Sequence, residues 1–438
     1  MLFHNDAYIW FAPQFSVDEI SQYLSEAAGL FGKEFTFQHL ETEADIEQHL
    51  ELMRTVFGQD SRIDLLVKKW MDHHPAMALK DFFVVKRLGM IVAALNLIPS
   101  KWTIGGILLK VAELGCVATL PKYRHKGLQR MLMEEYHKQV LKQEYDLSAI
   151  EGIPNYYRQF GYEYALPLLE ETRIRLDQIP DYESRHTIRP FTSDDVPKAM
   201  RLLDHTQRKL YVHTVRERDI WKMQQETKMI SEYAYEGYAV EEDGKMIAYF
   251  RISENPAEKQ LFLREITDVD QTTAQSTLRF LKGEGKKRKL ETLAAMISYH
   301  EPFTEQVVAI GGTKQTPYAW QMRVTDYVKM FRKLTPLLEK RLASSTFCRL
   351  TEKVNFNFYQ YTIQLTIEDG KIKNVQRLET SEDRMIRADP LVFTQLLLGY
   401  RSREELETIY PDFLVKVSYR HLVDILFPEM PSYIHTDY

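Results

Sequence analysis

The sequence contains little cysteine and no long apolar run. Cys116 and Cys348 are the two cysteines among 438 residues, which argues against a disulfide framework or a cysteine-based zinc site and favours a reducing compartment, the cytoplasm. His73 and His74 form an isolated pair with no third ligand at metal spacing, so we expect no metal site. No stretch approaches the roughly 18 apolar residues of a membrane helix, and the N-terminus lacks a basic segment followed by an apolar one. We therefore expect neither a membrane span nor a signal peptide.

Excess positive charge is also missing. The chain has 57 Lys and Arg against 62 Asp and Glu, which gives a formal charge of −5. Because binding to duplex nucleic acid normally needs a basic face, we expect no nucleic acid partner. The basic run at 286–289 is interpreted as a solvated loop.

Helices and strands alternate along the chain, which predicts several domains of mixed α/β structure. A single core rarely reaches 438 residues, so we expect two or three domains. The patterns of the first part predict a helix at 43–57, strands at 82–85 and 90–98 with Pro99 closing the second, a strand pair at 106–120, a helix at 127–143, a strand at 147–150 and a short helix at 154–160. A similar order recurs from about residue 187, with a hairpin around Asp243 and Gly244, which indicates a diverged duplication.

The segment at 117–132 has the features of a pyrophosphate site. It leads from a β-like stretch through a basic loop into an amphipathic helix, whose first N–H groups are unpaired and whose dipole favours an anion. Gly127 allows close approach of the backbone, and Arg124 and Lys126 add charge-assisted contacts. A basic turn before a helix is common. From composition alone, this segment could therefore have a purely structural role instead of binding a pyrophosphate.

This segment resembles motif A of the GNAT superfamily of N-acetyltransferases, whose loop is Arg/Gln-x-x-Gly-x-Gly/Ala. Arg124 and Gly127 match, whereas Gln129 stands where Gly or Ala is usual and His125 where Gly is frequent. Residues 155–162 resemble motif B, in which a Tyr precedes a Gly-aromatic pair by four residues. The resemblance implies acetyl-CoA as the cofactor. It implies cofactor contacts at Val117, Ala118, Thr119, Arg124, His125, Lys126, Gly127, Leu128, Gln129 and Asn155.

The layout of about residues 36–438 resembles the Eis (enhanced intracellular survival) aminoglycoside acetyltransferases. This resemblance implies an α/β (α+β) fold with tandem GNAT-type domains, the second degenerate, and a C-terminal α/β domain similar to a sterol carrier protein. The implied ranges are an N-terminal extension at 1–34, a catalytic domain at 35–165, the degenerate domain at 166–310 and the C-terminal domain at 311–438. The resemblance also implies a homo-oligomer, a hexamer. Because the loop at 268–272 is acidic, we expect the middle unit to bind no CoA and to serve as scaffold.

The same resemblance implies the mechanism. Tyr157 falls at the position of the general acid, and the C-terminal carboxylate of Tyr438 falls at the position of the general base. A carboxylate can accept the proton that keeps an ammonium from attacking a thioester. The acceptor is expected to be a primary amine of a polycationic, aminoglycoside-like small molecule. Acidic and aromatic groups suit such a cation, and we place Phe57, Asp60, Trp70, Cys116 and Asp437 at its pocket, with Cys116 as a wall residue.

Three alternatives stay open at this point. The enzyme could acetylate another amine, such as a protein lysine or a metabolite. The chain could instead be a non-enzymatic protein that binds a lipid or a partner through its C-terminal domain. Tyr157 could also be an ordinary packing residue, since aromatic side chains crowd residues 156–162, and chain termini are usually exposed.

Overall fold

The computed structural model describes residues 34–379 and 385–435. Nearly all of the N-terminal extension predicted at 1–34 lies outside this part of the chain. In the described residues, no helix combines the length and the apolar character that crossing a bilayer requires. In the same residues, no three His, Cys, Asp or Glu side chains are grouped to hold a metal ion.

The first part of the chain alternates strands and helices as the sequence predicts, except that the strand pair predicted at 106–120 is wrong, because this segment forms the single strand Ile107–Thr119. Its first helix begins at a side-chain cap, because Thr42 Oγ1 accepts a hydrogen bond from the Asp45 N–H at 3.2 Å. The elements are β1 (Thr36–His39), α1 (Glu43–Phe57), α2 (Ile63–His73), β2 (Phe82–Arg87), β3 (Met90–Ile104), β4 (Ile107–Thr119), α3 (Leu128–Lys142), β5 (Leu147–Ile150) and β6 (Glu163–Leu168).

The middle part repeats much of this order, including the predicted hairpin around Asp243 and Gly244. Its elements are β7 (Thr172–Arg175), β8 (Thr187–Pro190), α4 (Val196–Gln207), β9 (Val212–Thr214), α5 (Arg218–Thr227), β10 (Met229–Ile230), β11 (Tyr233–Ala234), β12 (Glu236–Glu242), β13 (Lys245–Asn255), β14 (Gln260–Ile266), α6 (Gln271–Lys287), β15 (Thr292–Ala295), α7 (Pro302–Ala309) and β16 (Thr313–Lys314). Strands β10 and β11 form a small separate hairpin.

The last part adds a third sheet with helices. Its elements are β17 (Tyr318–Val324), α8 (Tyr327–Ala343), β18 (Glu352–Asn357), β19 (Thr362–Glu368), β20 (Lys371–Leu378), β21 (Ile386–Arg387), α9 (Pro390–Leu397), α10 (Arg403–Ile409), β22 (Leu414–Val415) and α11 (Val417–Leu426). The likeness of this part to a sterol carrier protein stays a prediction.

The sheets interlock the parts of the chain. The first sheet has the order β1-β2-β3-β4-β5-β17-β6, with β9 paired to the end of β3, and the second has the order β16-β7-β15-β14-β13-β12-β8. The third has the order β20-β19-β18-β21-β22. Strand β17, which the sequence places in the C-terminal domain, thus completes the first sheet between β5 and β6. The mixed α/β fold is confirmed, whereas the four domain ranges stay predictions.

Pro99 does not close the strand that precedes it, so this prediction is wrong. Strand β3 continues through Pro99, which lies opposite Ala112 of β4, to Ile104. On the other side of β3, pairing with β2 ends at Asn96 and pairing with β9 begins at Trp102. Proline is tolerated in a strand where its missing N–H is not needed by a neighbour, and this gap provides such a place.

A buried ion-pair cluster joins the first and second sheets. Arg216, in the loop after β9, donates to both carboxylate oxygens of Glu265 on β14, at 3.0 and 2.6 Å. The Tyr249 hydroxyl donates to the same carboxylate at 2.7 Å, and the Arg251 Nε lies 3.5 Å from it. Burial alone would raise the pKa of Glu265, yet the charges of Arg216 and Arg251 hold this pKa well below its usual value.

We expect Glu265→Gln to destabilise the protein strongly, because it leaves two buried guanidinium groups without their counter-charge. Breaking a buried pair in this way costs about 3–5 kcal/mol of the free energy of unfolding, which denaturant titration measures. Glu291→Gln is the matched control, since Glu291 pairs with Lys259 at the surface and should leave the unfolding midpoint unchanged. Equal midpoints for the two variants would contradict the role of this cluster.

Candidate active site

Strands β4 and β5 separate where the sequence predicts the cofactor. Their parallel pairing joins 111–113 of β4 to 147–149 of β5. Strand β4 continues to Thr119, whereas β5 ends at Ile150. In the described part of the chain, no strand pairs with this side of β4 beyond Glu113. Residues 114–119 therefore present an open backbone edge whose N–H and C=O groups can bind a ligand with amide groups.

A bulge in β4 shapes this edge. Pairing with β3 passes from Ala94–Ala118 to Asn96–Gly115, so one residue of β3 faces two of β4. Cys116, one of these two, has a left-handed φ of 49°. Burial first, and then the charges of Glu232 and Glu113, raise the pKa of its thiol above the usual range. The thiol therefore stays protonated, which agrees with a wall residue and not with a nucleophile.

The loop between β4 and α3 has two left-handed residues close to the start of the helix. His125 and Gly127 have φ values of 62° and 75°, and left-handed residues of this kind can turn neighbouring N–H groups toward an anion. Gly127 precedes α3 and offers no side-chain cap, so the first N–H groups of the helix stay available. Arg124 and Lys126 are exposed beside them. This geometry fits a pyrophosphate.

Gln129 does not occupy the loop, although it stands where a small residue is usual. Its Nε2 donates to the carbonyl oxygen of Ala118 at 2.7 Å and to Thr119 Oγ1 at 2.9 Å. The side chain therefore points back to the end of β4 and ties α3 to this strand. The bulk of Gln129 is thereby kept away from the mouth of the anion site.

Tyr157 lies at the start of a short 3-10 helix, after the loop 151–156 that follows β5. It is 4% exposed and makes edge-to-face contacts with the rings of Tyr156 and Tyr162. Its ring packs on Gly152, where any side chain would place a Cβ 2.4 Å from the ring. Burial raises the pKa of Tyr157 above its usual value, so the hydroxyl keeps its proton at neutral pH and can act as a donor.

Strand β17 holds the loop that carries these groups. Gln321 Nε2 and the Tyr318 hydroxyl each donate to the carbonyl oxygen of Gly152, at 2.9 Å. Asn155 has a left-handed φ of 62°, and its N–H donates to the Tyr164 hydroxyl at 3.0 Å. The N–H of Asn155 is therefore already bound within the protein.

A cavity of about 260 Å³ opens beside this loop. The first unit, the middle unit and the C-terminal tail all contribute to its wall. The residues that line it are Glu151, Pro167, Leu168, Leu169, Ile230, Ser231, Tyr233, Arg264, Glu265, Met296, Trp320, Tyr433, Ile434 and His435. The middle unit, predicted to be a scaffold, thus forms much of the cavity wall.

Glu151 gives this cavity a titratable carboxylate. Its side chain is open to solvent through the cavity, yet protein surrounds it, and this burial together with the charge of Glu232 raises its pKa to about 7. Glu232 lies at the turn of the β10–β11 hairpin. Lys69 Nζ donates to the carbonyl oxygen of the neighbouring Ser231 at 2.7 Å, and burial lowers the pKa of Lys69 to about 7.

The pocket residues predicted from the sequence lie elsewhere or outside the described residues. Phe57 is partly exposed at the end of α1, and Asp60 is exposed in the turn after it. Trp70 is buried in the core that packs on β3 and β4, close to Gly115. Neither these three nor Cys116 lines the cavity described above. Asp437 and Tyr438 lie outside the described residues, and all of these roles stay predictions.

Sequence reasoning missed Glu151, Glu232 and Arg264. Glu151 had a signal, because it directly follows a predicted strand and lies four residues before the motif B segment. Glu232 and Arg264 had none, because they belong to the unit without a cofactor loop. Arg264 lines the cavity, and Glu232 lies between the lining residues Ser231 and Tyr233.

Comparison with known proteins identifies the first unit and the overall fold. The acetyltransferase (GNAT) domain family matches residues 39–165. A GCN5-related N-acetyltransferase from Anabaena variabilis ATCC 29413 has a TM-score of 0.71 at 15% identity, covering 91% of this chain and 99% of that one. A conserved protein of unknown function from Enterococcus faecalis V583, a probable N-acyltransferase, has 0.69 at 15%, covering 92% and 99%.

Eis1 from Mycobacterium abscessus has a TM-score of 0.61 at 13% identity, covering 92% of this chain and 100% of that one. At such identities the three solved structures share the fold with this chain, over nearly its whole length. No curated protein sequence matches the chain.

We expect Gly127→Ala to weaken CoA binding, because a Cβ penalises the left-handed conformation that turns the loop amides inward. A cost of about 1–2 kcal/mol corresponds to a Kd raised about 5- to 30-fold in calorimetry. Gly89→Ala is the control: Gly89 also has a left-handed φ, of 82°, and open space around it, but it lies in the turn between β2 and β3. An unchanged Kd for Gly127→Ala would remove this loop from the cofactor site.

Proposed function

Residues 39–165 form an acetyltransferase domain of the GNAT family, and we propose that this chain transfers an acetyl group from acetyl-CoA to a primary amine of a small molecule. One observation carries the proposal: the open edge of β4 leads from the anion site at 125–127 to the loop that bears Glu151 and Tyr157. The edge suits the amides of pantetheine, and the anion site suits the pyrophosphate. The thioester would then lie beside a carboxylate and a phenol.

In the proposed reaction, Glu151 accepts a proton from the acceptor ammonium and so frees the nitrogen lone pair. The nitrogen forms a bond to the thioester carbonyl carbon, and open N–H groups of β4 near Val117 stabilise the oxygen that becomes negative. The C–S bond then breaks as the thiolate takes a proton from Tyr157. The nitrogen releases its second proton to solvent, and the tyrosinate regains a proton from solvent. With a thiol pKa near ~8.5 the transfer from the phenol, whose pKa is higher, is uphill, and it is made feasible by holding the two groups together.

The carboxylate of Tyr438 is the second candidate for the base. One observation favours it: the tail is docked at the cavity as far as it is described. The Tyr433 N–H donates to the Val212 carbonyl oxygen at 3.1 Å, and Thr214 Oγ1 donates to the His435 carbonyl oxygen at 3.0 Å. Three further residues span at most about 10 Å, which brings a carboxylate from the tail within reach of the cavity.

The acceptor is proposed from the cavity. A volume of about 260 Å³ inside the protein favours a small molecule over the lysine of a folded protein. The polycationic, aminoglycoside-like acceptor expected from the sequence stays a prediction, as do the hexamer and a lipid-binding role for the C-terminal part.

We expect Tyr157→Phe to lower kcat by about 100-fold or more, because it removes the proton donor to the thiolate. The Kd for CoA should hardly change, since the ring keeps its packing on Gly152. Tyr156→Phe, which removes the hydroxyl group of the adjacent ring, is the control and should leave kcat unchanged. Release of CoA followed with a thiol reagent measures both variants, and an undiminished kcat for Tyr157→Phe would exclude Tyr157 as the acid.

The pH dependence of kcat separates the two candidate bases. A base works only when deprotonated, so with a pKa of about 7 for Glu151 the rate should rise as the pH increases through about 7 and fall below it. Glu151→Gln should abolish this rising limb of the pH profile of kcat and most of the activity. Lys69 titrates in the same range, so Lys69→Gln is the control and should retain the limb. A limb that survives in Glu151→Gln but disappears when Asp437 and Tyr438 are deleted would assign the base to the tail.

A further inference from the structure

The proposed acceptor cavity contains an arginine that forms no salt bridge with a carboxylate within the described residues. Arg264 projects from β14 into the cavity, and its Nε donates to Ser253 Oγ at 2.7 Å. Its Nη1 lies 3.1 Å from Met296 Sδ, a weak acceptor. The guanidinium carbon lies 4.0 Å from the centroid of the Tyr233 ring and 4.3 Å from that of Phe262. These contacts fix the plane of the guanidinium without supplying it with an anion.

The buried carboxylate next to Arg264 is already matched, whereas Glu232 acts on Arg264 by its charge without forming a salt bridge with it. Glu265, the next residue, is held by the bidentate contact with Arg216. His435 is neutral at physiological pH, because burial lowers its pKa to about 4. Burial likewise lowers the pKa of Arg264 itself, although Tyr233 and Glu232 oppose the shift. A partly buried guanidinium in this setting is stabilised by any anion that enters the cavity.

Glu151 supplies the opposite charge in the same cavity. It lies at the end of β5 in the first unit, while Arg264 lies on β14 of the middle unit, so the two charges reach the cavity from different sheets. No salt bridge joins either of them to another side chain in the described part of the chain. Among the residues that line the cavity, Glu151 is thus a carboxylate and Arg264 a guanidinium that form no salt bridge, a pattern that matches a molecule carrying an ammonium and an anion.

We propose that the acceptor belongs to the class of amino acids, with its reacting amine at Glu151 and its carboxylate bound by Arg264. The planar guanidinium suits a carboxylate because two N–H groups can donate to its two oxygens. A polycation would meet Arg264 as a like charge, which disfavours it in this cavity. The inference rests on the proposed acetyl transfer and narrows its acceptor.

Three acceptors with the same carbon skeleton test the charge preference: γ-aminobutyrate, butylamine and putrescine, with glycine and β-alanine as shorter homologues of the first. We expect the best of the amino acids to exceed butylamine, which has no carboxylate, in kcat/KM by about 10- to 100-fold. This is the range of a hydrogen bond to a charged group. Putrescine should be the poorest of the three. A preference for putrescine over every amino acid would overturn the proposal.

Variants at Arg264 then assign the effect to this residue. Arg264→Gln should lower kcat/KM for the amino acid by about 10- to 100-fold more than for butylamine, whereas Arg264→Lys should retain part of the advantage of the amino acid. Arg175→Gln is the control, because Arg175 lies on β7 of the same sheet and pairs with Asp177 at the surface. An equal loss for all three acceptors in Arg264→Gln would show a structural role or a contact with the tail and would overturn the proposal.

Binding gives a readout that does not depend on turnover. Calorimetric titration of the CoA-saturated protein with the preferred amino acid should show saturation that Arg264→Gln abolishes. If amines are acetylated without any preference for the amino acid, the inference fails while the proposed function stands. If no amine is acetylated and the amino acid does not bind, both fail.

Discussion

The proposed site depends on the divergence of two neighbouring strands. Strands β4 and β5 pair in parallel over only three residues each, after which β4 continues alone to Thr119. The backbone groups of an unpaired strand inside a protein need partners, and a cofactor arm that carries amides can supply them. The bulge at Cys116 bends β4 at this point. Both the open edge and the direction of the next loop follow from this local break in the sheet.

The elements around this opening position the polar side chains of the proposed site. Strand β17 enters the first sheet next to β5 and fixes the loop at Gly152, so a strand far along the chain positions Tyr157 and Glu151. The middle unit closes the cavity with Arg264 and the β10–β11 hairpin, and the tail closes it from a third side. The degenerate unit thus retains a role at the site although its own loop at 268–272 is acidic. Duplication followed by loss of the cofactor loop would leave such a wall.

Local features of the site were predictable from the sequence, and features that depend on sheet packing were not. The loop with Gly127 and the helix after it form a continuous segment, so composition and motif resemblance sufficed to locate them. Tyr157 was predicted for the same reason, from its place in the motif B segment, and its role stays a prediction. The prediction for Pro99 was wrong because a proline is tolerated inside β3 only where no neighbouring strand needs its N–H. That place is set by where the pairing of β2 ends and that of β9 begins, which the sequence near Pro99 does not show. Arg264 and Glu151 are 113 positions apart in the sequence, and no local pattern indicates that they share a cavity.

The account is tested most directly by a crystal structure of the protein with bound CoA. It predicts that the pyrophosphate contacts the N–H groups at 125–128, that the pantetheine lies along 114–119 of β4, and that the sulfur lies within about 3.5 Å of the Tyr157 hydroxyl. A CoA bound in another cleft, or a sulfur remote from both Tyr157 and Glu151, would contradict it.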